Sequence, residues 1–323
     1  MSSGRVVVSI GIDPAHAETW ESVRAAAQAA LSALPGVTSA LVTLTAERSA
    51  TTPAPGQPPK PRPATFPNLA GVRHLIAVAS GKGGVGKSTT ACNVALALRG
   101  RGLAVGVLDA DIHGPSMPKL FALKGQPRIV SGRTLAPLEG YGCKVMSIGF
   151  VVDADKAMIW RGPMVASAIT QMLRDVVWGA LDVLVIDMPP GTGDAQLTLA
   201  QSAPLSGAVI VSTPQDLALI DARRGVRMFR EVGVPILGIV ENMSYFVCDG
   251  CGKRHDVFAH GGARTEAAAL GVPFLGEIPL DSLIRARSDQ GLPIVVTDPD
   301  GPQARAYGAI ADAVWAGVER KSR

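Results

Sequence analysis

The chain is poor in cysteine. Four occur in 323 residues, too few and too scattered for a disulfide framework in a chain this long. In a reducing compartment a close pair among so few points to metal or redox chemistry instead. Long apolar runs are also missing, since none approaches the ~20 residues that a membrane-spanning helix needs. The opening Met1-Ser-Ser-Gly-Arg-Val-Val-Val8 lacks the long apolar region of a secretory signal, and the expected location is cytoplasmic. Neither sign of charge dominates. A net charge of +4 demands neither nucleic acid nor an anionic membrane as partner. What remains is 47% hydrophobic and 18% charged, which suits a soluble protein with a substantial core and room for two unequal domains.

Glycine (36) and proline (24) are abundant, and the prolines cluster. Residues 50–68, around Thr51-Thr-Pro-Ala-Pro-Gly-Gln-Pro-Pro-Lys-Pro-Arg-Pro63, cannot support helix or sheet ladders and read as a stiff, extended linker. Before it, residues 1–49 read as a small β-α-β unit. Val6, Val8, Ile10 and Ile12 alternate along a strand. Trp20, Val23, Ala27, Ala30, Leu31 and Leu34 fall on one side of a helix that Pro35-Gly36 stops. Ala40, Val42 and Leu44 alternate along a second strand. After the linker, residues 69–323 alternate strand-like and helix-like segments. That pattern predicts an α/β fold with a mostly parallel sheet and helices on both faces. Ligands bind beyond the carboxyl ends of the strands in such folds.

The most informative stretch is Ser80-Gly-Lys-Gly-Gly-Val-Gly-Lys-Ser-Thr89. It follows the apolar strand-like run 74–79 and opens a helix-like segment. Gly81-x4-Gly86-Lys87-Ser88 fits the Walker A pattern at every fixed position. Glycines (Gly81, Gly83, Gly84 and Gly86, interrupted by Val85) let a phosphate approach the backbone amides at a helix N-terminus. Lys87 supplies a point charge to the outer phosphates, Ser88 a magnesium ligand, and Thr89 continues the turn. Lys82 exceeds the pattern, because a second lysine is not needed to cradle phosphates within one chain. The stretch resembles the variant Walker A of MinD/ParA-like ATPases, in which the extra lysine reaches the partner's nucleotide across a dimer.

Other carboxylates end predicted strands. Asp109 and Asp111 follow Val105–Leu108 and can reach magnesium or a water near the terminal phosphate; Asp111 either orients that water or caps a turn. Asp187 closes the apolar run 184–186 in the Walker B manner. Met188-Pro-Pro-Gly-Thr-Gly-Asp194 then forms an irregular loop of the kind that orders over a γ-phosphate. Asn242, after strand 236–240, either reads an adenine edge or bonds its own loop. Cys248-Asp-Gly-Cys251 offers two thiolates, whereas a tetrahedral zinc or a four-iron cluster takes four protein ligands. Two copies of the chain, each giving one pair, satisfy that count. A zinc site completed by His255 and His260 is the competing arrangement. A thioredoxin-like pair suits a helix start rather than a loop. Cys92 and Cys143 read as buried residues.

The set Gly81-Lys-Gly-Gly-Val-Gly-Lys-Ser88, Asp109-Ala-Asp-Ile-His-Gly-Pro-Ser116, Trp160-Arg-Gly-Pro163, Asp187–Asp194, Thr213-Pro-Gln215, Glu241-Asn-Met243 and Cys248-x-x-Cys251 resembles, in order, that of the Mrp/ApbC iron–sulfur carrier ATPases. The resemblance implies ATP binding and hydrolysis with Mg2+, and a homodimer. It implies a labile [4Fe–4S] cluster bridged between subunits, received from an assembly scaffold and passed to apo-proteins, with no nucleic acid or membrane partner. Residues 1–49 resemble the last part of the small iron–sulfur-assembly domain that precedes many such ATPases, with its beginning absent. A partition or positioning ATPase on DNA or membrane shares the Lys82-type loop, and its requirement is a basic face or an amphipathic end such as Ile310, Val314, Trp315 and Val318. Nitrogenase-iron-protein-like reductases use widely separated single cysteines, which this spacing does not match.

Overall fold

The computed structural model describes residues 5–12, 17–35, 37, 39–46, 66–151 and 162–322. Most of the proline-rich stretch, Gly36, Trp160 and Arg161 lie outside the described residues. The chain divides into two units, Met1–Arg62 and Pro63–Arg323.

In the first unit β1 (Arg5–Ile12) and β2 (Ser39–Ala46) pair in parallel, Arg5 opposite Ser39, and α1 (Ala17–Ser32) makes the crossover. The predicted apolar face of α1 is only partly covered. Ala27 and Leu31 are half-buried, but Trp20, Val23 and Leu34 are 38%, 46% and 52% exposed. Two strands offer too narrow a floor for a whole helix face. Polar residues of α1 serve β2 instead: Gln28 Oε1 accepts from the Val42 amide at 3.3 Å and from Arg24 Nη1 at 3.0 Å.

The second unit is built on an eight-stranded sheet. Its parallel strands are β3 (Val72–Ala79), β4 (Val105–Asp109), β8 (Cys143–Ser147), β9 (Leu181–Asp187), β10 (Gly207–Ser212), β11 (Ile236–Asn242) and β14 (Phe274–Ile278). β7 (Leu138–Gly140) is an antiparallel edge on β8. The order is β14-β11-β10-β3-β9-β4-β8-β7. Strands β4, β9 and β10 are buried nearly end to end, and β3 from Leu75 onward, as continuous apolar runs covered on both faces should be. The longer helices are α2 (Lys87–Gly100), α4 (Gly162–Asp175), α5 (Asp194–Ser202), α6 (Asp216–Glu231), α7 (Gly262–Leu270), α8 (Ser282–Asp289) and α10 (Pro302–Ser322). Short pieces complete it: α3 (Met117–Leu120), α9 (Ile294–Thr297) and the hairpins β5/β6 (Ile129–Ser131, Thr134–Leu135) and β12/β13 (Phe246–Val247, Arg254–His255).

Asp216 opens the first turn of α6, one residue past its N-cap Gln215. On α10 the apolar stripe Ile310, Val314 and Val318 is at most 1% exposed, because the helix lies against α2 and β14. That stripe is core and is not free to act as a membrane anchor. No described helix is long and apolar enough to cross a membrane.

Candidate functional site: a phosphate loop and a cysteine hairpin

The strand order explains the first half of the site. β9 lies between β3 and β4, with Val78 opposite Asp187 and Asp187 opposite Asp109. The carboxyl ends of three neighbouring strands thus deliver the glycine loop and two acidic loops to one place. The loop 80–86 leaves β3 and ends at Gly86, whose φ of 81° caps α2. A Cβ on Gly86 would sit 2.1 Å from Asn242 Nδ2, so backbone and neighbour both require glycine there. Gly81 passes so close to α6 that a Cβ would meet the Asp221 backbone at 2.3 Å.

Lys87, 6% exposed, turns its ammonium inward. Its Nζ donates to Asp187 Oδ1 at 2.5 Å and to Ser88 Oγ at 3.2 Å, and lies 3.8 Å from Asp111 Oδ2. Burial pushes the Asp187 carboxyl up, against the pull of Lys87 and a hydrogen bond from Ser88. Asp187 Oδ2 is buried with no hydrogen-bond partner among the described residues. An orphaned carboxylate oxygen beside a serine hydroxyl is the hard oxygen donor set that suits magnesium. Lys82 is half-buried, and no ion pair holds its ammonium among the described residues.

Asp109 and Asp111 read alike in the sequence, and the structure separates them. Asp111 faces Lys87. Asp109, expected on the nucleotide side, is fully buried and turned into its own loop. Its Oδ2 accepts from the Ser116 and Met117 amides (2.9 and 3.0 Å) and from Ser147 Oγ (2.9 Å), and its Oδ1 accepts from the Asp111 amide (3.2 Å). The capping job weighed for Asp111 is thus done by Asp109, because the chain turns into α3 around it. Burial, then the neighbouring Asp187, push the Asp109 carboxyl up to about 7.

The loop after β9 is tied to the glycine loop: the Gly191 amide donates to Ser80 O at 2.9 Å, and Gln196 Nε2 donates to Pro190 O. Asp194 is exposed at the first turn of α5, and among the described residues no ion pair joins it to Lys87. Asn242 is mostly spent on structure. Its Nδ2 donates to Val85 O at 2.8 Å, bracing the loop from behind. It also lines a cavity of about 280 Å³ with Gly86, Thr89, Met243, Leu280 and Ile284. Leu280 and Ile284 escaped the sequence reading. The rule that ligands sit past strand ends, applied to β14, would have found them.

The cysteines form the second half. Cys248 and Cys251 stand at the tip of the β12/β13 hairpin, half-buried and exposed. The Cys248 amide donates to Lys253 O at 3.0 Å and the Gly252 amide to Cys248 O at 2.8 Å, a tight knuckle. Backbone amides of Gly250 and Cys251, and then the Cys251 side chain, hold the Cys248 thiol below its ordinary value, which favours the thiolate a metal binds. Among the described residues no group of three or more His, Cys, Asp or Glu side chains converges on a metal position. The zinc arrangement with His255 and His260 is therefore not formed. The His255 ring lies against Phe246, 6.4 Å between centroids, and His260 Nε2 lies 3.1 Å from Glu277 Oε2. Cys92 and Cys143 are buried, and burial pushes Cys143 up to about 12 and Cys92 well above its ordinary value.

Glu241, quoted in the sequence without a role, is fully buried and clamps the neck of the cysteine excursion. Its Oε1 accepts from Ser244 Oγ (2.6 Å) and the Gly261 amide (3.0 Å), and its Oε2 from the Ala263 amide (2.6 Å). The available signal was a carboxylate at the end of a wholly apolar strand.

Comparison with known proteins agrees with this geometry. The profile described as ParA, "NUBPL iron-transfer P-loop NTPase", matches residues 71–315. An iron–sulfur cluster carrier protein of Pseudomonas fragi is 48% identical over 88% of this chain and 96% of its own length. The iron–sulfur cluster transfer protein NUBPL of Dictyostelium discoideum is 52% identical over 76% of this chain and 77% of its own. A nucleotide-binding protein of Archaeoglobus fulgidus, solved with ADP, superposes with a TM-score of 0.65 at 42% identity, covering 74% of this chain and 94% of that one. The cell-division ATPase MinD of Pyrococcus furiosus shares the fold, with a TM-score of 0.57 at 22% identity over 75% of this chain and 98% of its own. With glycine loop, buried lysine–aspartate pair and matching profile all lying in the second unit, the chain belongs to the NUBPL-type iron-transfer P-loop NTPases of the ParA group.

Proposed function

We propose that this protein carries a [4Fe–4S] cluster bridged between two copies of the chain by Cys248 and Cys251, and passes it to apo-proteins under the control of ATP binding and hydrolysis. The observation that carries the reading is the hairpin: two accessible thiols, one of them held below its ordinary value by backbone amides, with no third ligand converging among the described residues. A second copy brings the missing pair. The names of the Pseudomonas and Dictyostelium relatives support the cargo. Free thiols persist in a reducing compartment, and we place the protein in the cytoplasm. An assembly scaffold supplies the cluster.

At the glycine loop, on the same carboxyl edge of the sheet, the amides of 83–87 and the Lys87 ammonium hold the β- and γ-phosphates. Lys87 exchanges its carboxylate partner for phosphate. Ser88 and Asp187 hold magnesium, which when bound offsets charge on the phosphate oxygens. Asp111, facing Lys87 from the adjacent strand, orients the attacking water. Lys82 reaches the nucleotide of the second copy. Leu280, Ile284 and Asn242 enclose the base.

Anaerobic reconstitution tests the cargo. The expected result is about one four-iron cluster per dimer, lost in Cys248→Ala and in Cys251→Ala and kept in Cys92→Ala. Mössbauer spectra report the cluster type. Equal iron loading in all three variants would sink the reading.

A further inference from the structure

Asn242 and Glu241 are consecutive on β11, so their side chains leave opposite faces of the sheet. Asn242 braces the glycine loop at Val85 and lines the cavity beside it. Glu241 closes the cysteine excursion at its neck, gripping Ser244 where the chain leaves and Gly261 and Ala263 where it returns. One buried carboxylate thus fixes both ends of the segment that carries Cys248 and Cys251. Between strand and excursion stands Met243, a non-glycine residue at φ 55°. Such a corner has few alternative conformations and little slack. A second link runs in parallel: Leu280 lines the same cavity, and its amide donates to Tyr245 O at 2.7 Å.

The hairpin has a further anchor that bypasses the cavity. Glu277 on β14 receives Arg264 Nη2 at 3.1 Å and His260 Nε2 at 3.1 Å, with Arg254 Nη2 at 3.8 Å. Arg254 in turn lies over the Tyr245 ring at 3.9 Å. Glu277 stands in register beside Glu241 on the neighbouring strand but is not among the described residues that line the cavity.

We propose that Glu241 is a positioning residue for the cysteine pair, and that the Glu241–Asn242 step transmits nucleotide occupancy of the glycine loop to the cysteine hairpin. The proposal rests on the reading of the cavity as a nucleotide site and of the pair as the cluster ligands. A nucleotide that engages the amides at 85–87 and the cavity wall displaces or stiffens Asn242. Glu241 is the next residue on the same rigid strand, so the neck of the excursion shifts with it. Coupling of this kind needs a physically continuous element that both sites bias, and the end of β11 is one.

Hydrogen exchange on the full-length, metal-free protein, with and without Mg–ADP, reads the coupling directly. In the wild type, ADP slows exchange of the 246–255 amides several-fold. Glu241→Gln and Ser244→Ala bind ADP with wild-type affinity by calorimetry, but that slowing is lost in the first and reduced in the second. Glu277→Gln speeds exchange of the hairpin in both states and keeps the ADP-dependent difference. Should Glu241→Gln not fold, Ser244→Ala decides alone. A wild-type hairpin indifferent to bound ADP overturns the proposal, and so does a full response in the folded Glu241 and Ser244 variants. Because no cluster is present, failure of cluster loading and failure of this coupling are separate results.

Discussion

Asp109 and Asp187 lie in register on neighbouring strands, both fully buried, with the Lys87 ammonium against only one of them. Two carboxylates so placed cannot both stay charged cheaply. Asp109 rises from an ordinary 3.8 to about 7, so the folded state holds a proton there that the unfolded chain has released. Its stabilising contribution is complete below pH ~4 and is lost as pH climbs to ~7. At ~1.4 kcal/mol per pH unit the swing is roughly 4 kcal/mol. Asp182, Glu266 and Glu277 are held low by their partners and bend the raw curve the other way, so the useful quantity is a difference. In urea unfolding without nucleotide or magnesium, the advantage of wild type over Asp109→Asn shrinks by about that amount between pH 4 and 7. Parallel curves would contradict the assignment. The sequence could not separate Asp109 from Asp111. Two residues of spacing put both past one strand end, and only the turn into α3, with Ser147 arriving from β8, decides which carboxylate is consumed.

The cysteine hairpin shows what is illegible at the level of an element. Its strands have two residues each, too short for any periodicity to register, and its position depends on side chains far along the chain. The opposite failure occurred on α1. There the periodicity was clear, yet Trp20, Val23 and Leu34 are exposed, because a pattern says which residues share a face and not how much floor lies beneath it. Long buried strands were legible for the converse reason. Runs such as Val183–Ile186 have no solvated face to place. Since Glu277 holds the hairpin from outside through partly exposed ion pairs, its loss loosens one element and leaves the core intact. Glu277→Ala lowers global stability by about 1 kcal/mol or less, but trypsin cleaves the native protein after Lys253 and Arg254 markedly faster. Unchanged cleavage would show that the neck clamp alone fixes the hairpin.

At the scale of the molecule, alternation of strand and helix foretold a parallel sheet, but not the order β10-β3-β9-β4 that brings Asp187 between the glycine loop and Asp111. Order is settled by which crossovers pack, a non-local matter that no window of sequence contains. The same order gathers the described site residues at strand ends of the second unit. Gly81–Thr89, Asp111, Asp187, Asn242, the cavity wall and both anchors of the hairpin all follow Pro63. The sheet's core likewise draws its buried side chains from residue 69 onward. The first unit, by contrast, has two strands and one helix with apolar residues left in solvent, too little buried surface for much independent stability. A chain begun at Pro63 therefore folds cooperatively. It binds Mg–ADP with the affinity of the full chain, within about a factor of two, or ~0.4 kcal/mol, by calorimetry. A tenfold loss would mean that residues before Pro63 support the nucleotide loop from outside the second unit, and the site as drawn would be incomplete.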